Sequence, residues 1–133
     1  MKNFLVSLFV TLLLLTGCGR EEGAGTPAEL SAFIEELKAN GVDGSVLIRP
    51  PFNEDMDYVA EYAIAKYAST RIISLFRFKD AAKAEANLQE SLKNDKLSGQ
   101  ARNGKFVMVA TFFPADEEAV DKIKALFLAQ KFD

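Results

Sequence analysis

Apolar residues along this chain recur with two different periods, and each period predicts a different element. Leu30, Phe33, Ile34 and Leu37 fall at i, i+3, i+4 and i+7, the stripe of an amphipathic helix. Thr26-Pro27-Ala28-Glu29 ahead of them reads as a capping box with proline at the first helical position, and Asn40-Gly41 marks the stop. Ser45 to Arg49 reads as a short strand that Pro50-Pro51 ends, because proline has no N–H for a ladder. Residues 55–68 fit two templates. Met56, Val59, Ala60, Ala63, Ile64 and Tyr67 make a helical face, while Tyr58, Tyr62, Ile64 and Lys66, with Ala60 between them, line one side of a strand.

The second half of the chain is more regular. Arg71 to Phe78 is apolar on both faces, as a central strand must be. Asp80 caps an alanine-rich helix that runs to about Asn94 and turns Ala81, Ala84, Leu88 and Leu92 inward. Asn103-Gly104 is a turn dipeptide, and Phe106 to Phe113 follows as a second strand with two apolar faces. Pro114 and Asp116 start a last helix, with Glu117 and Glu118 at the positive end of its dipole and Val120, Ile123, Leu126 and Phe127 facing inward. Strands alternating with helices at this length predict one domain, residues 27–133, of the α+β (or α/β) two-layer sandwich class. Its small sheet of three to five strands is packed by amphipathic helices. A ferredoxin-like split βαβ arrangement is one topology open to it.

The N-terminal segment obeys neither period. Lys2 is followed by Phe4 to Leu15, a stretch interrupted only by Ser7 and Thr11. That is too short to span a bilayer, which takes about 20 residues, and the right length for the apolar region of a signal peptide. It ends in Leu15-Thr16-Gly17-Cys18, which resembles the lipobox of bacterial lipoproteins. The resemblance implies removal of residues 1–17 as a signal peptide and diacylglyceryl and acyl (palmitate-type) modification of Cys18. It implies a home in the cell envelope, on the membrane through lipidated Cys18. Residues 18–26, polar and glycine-rich, then form a tether reaching roughly 16 Å. In a host with two membranes, glycine after the cysteine resembles the class sent to the outer membrane, facing the periplasm. In a host with one, the anchor is the outer leaflet of the cell membrane.

Composition narrows the chemistry. The 133 residues contain no histidine, one cysteine and a net charge of −3. Imidazole catalysis and an internal disulfide are therefore excluded, and the only thiol is the one the lipobox consumes. A net acidic chain is no general nucleic-acid binder. No Ser-x-x-Lys occurs and the glycines form no phosphate-cradling loop, so no catalytic residue, cofactor or metal is assigned. Two carboxylate clusters, Glu54-Asp55-Asp57 and Asp116-Glu117-Glu118-Asp121, read first as charge at helix N-termini; the former, on a loop, is also the one place that could offer oxygens to Ca²⁺, though without EF-hand spacing. The polar stretch from Lys96 to Lys105 stands out: Lys96, Ser98, Gln100, Arg102, Asn103 and Lys105 offer three positive charges and no acid within ten residues. Closed as a hairpin loop with Arg102 and Lys105 flanking the turn, it could hold an anionic group of an envelope protein, peptidoglycan or lipid. The function expected is a non-enzymatic binding or accessory module. The alternatives are a carrier of a small apolar ligand lined by Phe76, Phe78, Phe106, Phe112 and Phe113, or a carboxylate-dependent enzyme.

Overall fold

A computed structural model of the chain describes residues 25–65 and 70–132. The segment expected to be a signal peptide and lipobox, Cys18, most of the expected tether, and Lys66 and Tyr67 lie outside the described residues. Among the described residues the order is α1 (Ala28–Ala39), β1 (Gly44–Arg49), β2 (Met56–Ile64), β3 (Arg71–Phe78), α2 (Ala81–Ser91), β4 (Ser98–Asn103), β5 (Phe106–Phe112) and α3 (Glu117–Leu128). The five strands form one sheet in the order β1-β2-β3-β5-β4, with every neighbouring pair antiparallel. The α+β class read from the sequence is the one adopted. The ferredoxin-like topology is not, because its split βαβ unit would place two parallel strands side by side.

Helices cover both faces of the sheet, so a further layer joins the expected two. On one face α1 and α3 bury Leu30, Phe33, Leu37, Val120, Ile123 and Phe127 against Ala60, Tyr62, Ile73, Leu75, Phe106 and Met108. On the other, α2 sets Ala84 and Leu88 against Phe76, Phe78, Val107 and Val109. Strands β3 and β5 are apolar on both sides because both sides are roofed.

Residues 55–68 resolve largely into β2. Tyr58, Ala60, Tyr62 and Ile64 alternate toward α1, and Val59 turns to the opposite side. The alanines that favour a helix have another use here, since Ala60 lets α1 approach the sheet closely. Residue Asp57 is the extra one in a bulge between Met56 and Tyr58, which swings Met56 to the α2 side.

The segment Ser98–Asn103, expected as part of a loop, is instead the edge strand β4. Its sequence lacks β-branched and aromatic residues, and only Ala101 is fully buried. What makes it a strand is the neighbouring β5, whose edge it pairs. Gly99 sits where the register shifts, at a φ of 67° that side chains rarely adopt, and an added Cβ would lie 2.7 Å from Val120. The tight turn is Gly104-Lys105, one residue later than the dipeptide expected, because Asn103 still pairs with Phe106.

Local signals placed the helices well. Asp80 and Asp116 cap α2 and α3 by accepting from the amides of Lys83 (2.8 Å) and Ala119 (3.2 Å). Helix α2 stops at Ser91, short of Asn94, and leaves Leu92 exposed. The capping box of α1 does not form: Pro27 is its N-cap residue, without a side-chain capping bond, and Glu29 is drawn elsewhere.

Candidate functional site

The polar segment before β5 provides the first test. Strand β4 runs between Lys96 and Lys105 and holds them apart, so the three positive charges do not converge. Ser98 donates to the carbonyl of Ala110 (3.2 Å) and Gln100 to that of Ser91 (3.1 Å). Asn103 donates to the carbonyls of Phe127 (2.9 Å) and Gln130 (2.8 Å), tying the C-terminal residues to the hairpin. Arg102 does lie beside the turn with Lys105, but its guanidinium binds Glu85 at 2.8 Å and the carbonyl of Gly104 at 2.9 Å. Glu85 is held below the usual carboxylate range by Gln89 first and Arg102 second. The acid missing from this stretch of sequence is supplied by α2.

A consequence can be measured. Arg102→Gln should lower stability by about 1 kcal/mol through loss of the carbonyl bond. The exposed ion pair adds little to that. Lys105→Gln should change nothing. Urea titration of both variants checks the contrast.

The acidic segment before β2 is likewise partnered. Asp57 binds Arg77 at 2.6 Å and Lys79 at 3.0 Å, and Asp55 lies 3.5 Å from Lys83. The Lys79 ammonium, followed by Arg77, holds Asp57 below its ordinary value. Arg77 also reaches Glu29 at 2.9 Å, and Glu29 accepts a 2.5 Å hydrogen bond from the hydroxyl of Tyr58. Four side chains from α1, β2 and β3, with Lys79 just after β3, are joined in this way at one end of the sheet. Arg77 is the hub, its side chain only 17% exposed and its guanidinium over the ring of Phe106. Burial pushes Tyr58 far above an ordinary phenol, and the Glu29 bond adds to the effect. Sequence reasoning missed this network. Its one signal was an arginine interrupting an otherwise apolar strand.

In the last helix Asp116 pairs with the buried Arg71 at 3.3 Å besides capping, which leaves the second carboxylate cluster serving the helix end. Among the described residues no three histidine, cysteine or acidic side chains are grouped to hold a metal ion. No described helix is long and apolar enough to cross a membrane.

Of the strand phenylalanines, Phe78, Phe106 and Phe112 are buried in packing, and Phe76 is half-buried under Phe52 with centroids 5.9 Å apart. Phe113, expected as the last residue of β5, follows its end and is 77% exposed. Open clefts lie at both ends of α2. One of about 510 Å³ at its start is lined by Phe78 with Asn53, Asp55, Asp80, Lys83 and Asn87, and one of about 520 Å³ at its end by Asn87, Glu90, Ser91, Lys93 and Asp95. Another of about 280 Å³ follows α1 beside β1, between Ser31, Ile34, Glu35 and Lys38 on the helix and Gly44, Ser45 and Val46 on the strand.

Comparison of the chain with protein-family models, with curated proteins and with solved structures finds no match.

Proposed function

We propose that this chain is a bacterial envelope lipoprotein whose folded domain, anchored through Cys18, works as a non-enzymatic binding or accessory module. The observation that carries the reading is Leu15-Thr16-Gly17-Cys18 placed directly after a short apolar segment with a lysine ahead of it. Two or three acyl chains at about 0.8 kcal/mol per buried CH₂ would hold such a protein on a membrane. The tether's reach would keep the domain close to the headgroups. The arrangement of polar side chains supports a binding role over catalysis: the carboxylates and cations that chemistry would need are already paired, Arg77 with Asp57 and Glu29, and Arg102 with Glu85. An envelope protein, peptidoglycan or lipid is the class of partner within the tether's range.

The test is Cys18→Ala in the full chain. The wild type should incorporate labelled palmitate, sediment with membranes and run at the size without residues 1–17, whereas the variant should incorporate no palmitate and keep its signal segment. A variant that stays membrane-bound at the normal processed size would overturn the proposal.

A further inference from the structure

The outer edge of β1 carries information that goes beyond an anchored module. Asp43 accepts a backbone bond from Ala65 at 2.9 Å, in the same register that pairs Gly44 with Ile64. In an antiparallel ladder, bonded and non-bonded pairs alternate. The backbone groups of Ser45, Leu47 and Arg49 therefore turn toward β2. Those of Val46 and Ile48, together with the carbonyl of Gly44, turn outward, where the sheet ends. Natural edges are blunted by charge, bulges or proline. From Gly44 to Ile48 this one has none of them, and its side chains are half-buried Val46 and Ile48 on one face and Leu47, 53% exposed, on the other.

We infer that β1 pairs antiparallel with β1 of a second copy of this chain, about a two-fold axis at Val46, joining two five-stranded sheets into one. Outward groups must meet outward groups, so Val46 opposes Val46 of the second copy and Gly44 opposes Ile48. Slippage by two residues is blocked in both directions. One slip sets the Gly44 carbonyl against Pro50, which has no N–H to give. The other sets Ile48 against Val42, whose N–H is bound to the Leu37 carbonyl and whose carbonyl accepts from Tyr62.

The single register left also matches the side chains. Asp43 of each copy falls opposite Arg49 of the other; Arg49 binds Glu61 of its own chain through Nε at 2.8 Å, and its terminal guanidinium nitrogens would add Asp43 of the second copy, so two opposite-charge contacts would close the ends of an apolar centre. Val46 and Ile48 of the second copy enter the cleft beside Ile34 and Val46 of the first. Because each copy offers the same surface, the contact is self-complementary and closes at two.

Cysteine at the axis provides the direct test. Facing residues of a bonded pair lie about 5.5 Å apart between Cα atoms, within disulfide range. Full-length Val46→Cys, co-expressed with two different epitope tags and oxidised in intact cells, should give a covalent dimer that carries both tags. The parent chain, with Cys18 alone, and Leu128→Cys on α3 should not. Charge reversal tests the register. Asp43→Arg and Arg49→Glu each create two repulsive pairs and should each weaken self-association about tenfold in sedimentation of the full chain. Mixed together, they should associate as well as the wild type, because the mixed dimer restores both opposite-charge pairs. Both changes are at exposed positions, and circular dichroism confirms that each variant is folded. A monomeric parent chain, cross-linking of Val46→Cys to other proteins instead of itself, or reversal variants that do not recover on mixing would overturn the inference.

Discussion

Replacing Phe33 by alanine is expected to cost about 3–5 kcal/mol of folding stability. Phe33 on α1 is fully buried, and its ring meets Phe127 at 5.8 Å and Phe132 at 6.1 Å between centroids. Phe132 in turn lies 4.7 Å from Phe106 on β5. One ring thus joins the first helix, the last helix and the residues that follow it over a central strand. Edge-on aromatic contacts add to the area buried, and a cavity of phenyl size between two helices and a sheet cannot close without moving backbone. A total stability of about 5–15 kcal/mol leaves such a variant close to unfolding. Urea unfolding of wild type and Phe33→Ala measures the difference. A loss below about 1 kcal/mol would mean that the helices do not pack as described.

The same cluster shows how much of the fold was legible in the chain. Phe33, Val120, Ile123 and Phe127 announce themselves by helical spacing, and Asp80 and Asp116 by their place before a helix, because those signals act over a few residues. The strands β3 and β5 were legible for the same reason: a run apolar on both sides has to be central. Phe132 carries no such signal. It follows the end of α3, and only the hydrogen bonds from Asn103 to Phe127 and Gln130 bring it back over the core. Residues 55–68 were ambiguous because alanine and tyrosine pull in opposite directions, and the choice is made by β1 and β3 on either side. Strand β4 could not be seen at all, since a polar edge strand exists through the neighbour it pairs.

Candidate site residues were less legible than the fold, and for one physical reason. Charge partners in this domain come mostly from other elements. Arg102 looked unpaired along the chain until α2 brought Glu85 to it. Glu29 looked like half of a capping box, but Tyr58 and Arg77 offer its carboxylate two strong partners in a half-buried place, which the exposed amides of a first helical turn do not match. Counting charges by sequence distance finds exposed stretches. It does not find which of them remain unpaired once the chain has folded.

The tyrosines of β2 lead to the last expected result, an alkaline loss of stability that begins where free phenols titrate. Tyr62 is 2% exposed, and its hydroxyl donates to the carbonyl of Val42 at 2.7 Å. Burial, then the charge of Asp43, pushes it up to about 12, although the nearby Gly44 amide pulls the other way. Tyr58 is raised as well, by burial first and then by Glu29. A group whose folded value lies above its unfolded one stabilises the protein fully below the unfolded value, here 10.0, and loses that contribution as pH rises through the folded value. A tenfold difference in proton affinity between the two states corresponds to about 1.36 kcal/mol. Tyr62 alone should therefore withdraw on the order of 2 kcal/mol between pH 10 and 12. Urea midpoints should fall across that range, while the phenolate absorbance of the folded protein, read in a Tyr67→Phe background, stays low past pH 10 and rises only as pH approaches 12. Tyr62→Phe should start lower at neutral pH, having lost the bond to Val42, and then decline less steeply. Titration of both phenols near their ordinary value, with flat stability, would show that neither hydroxyl is buried against these partners.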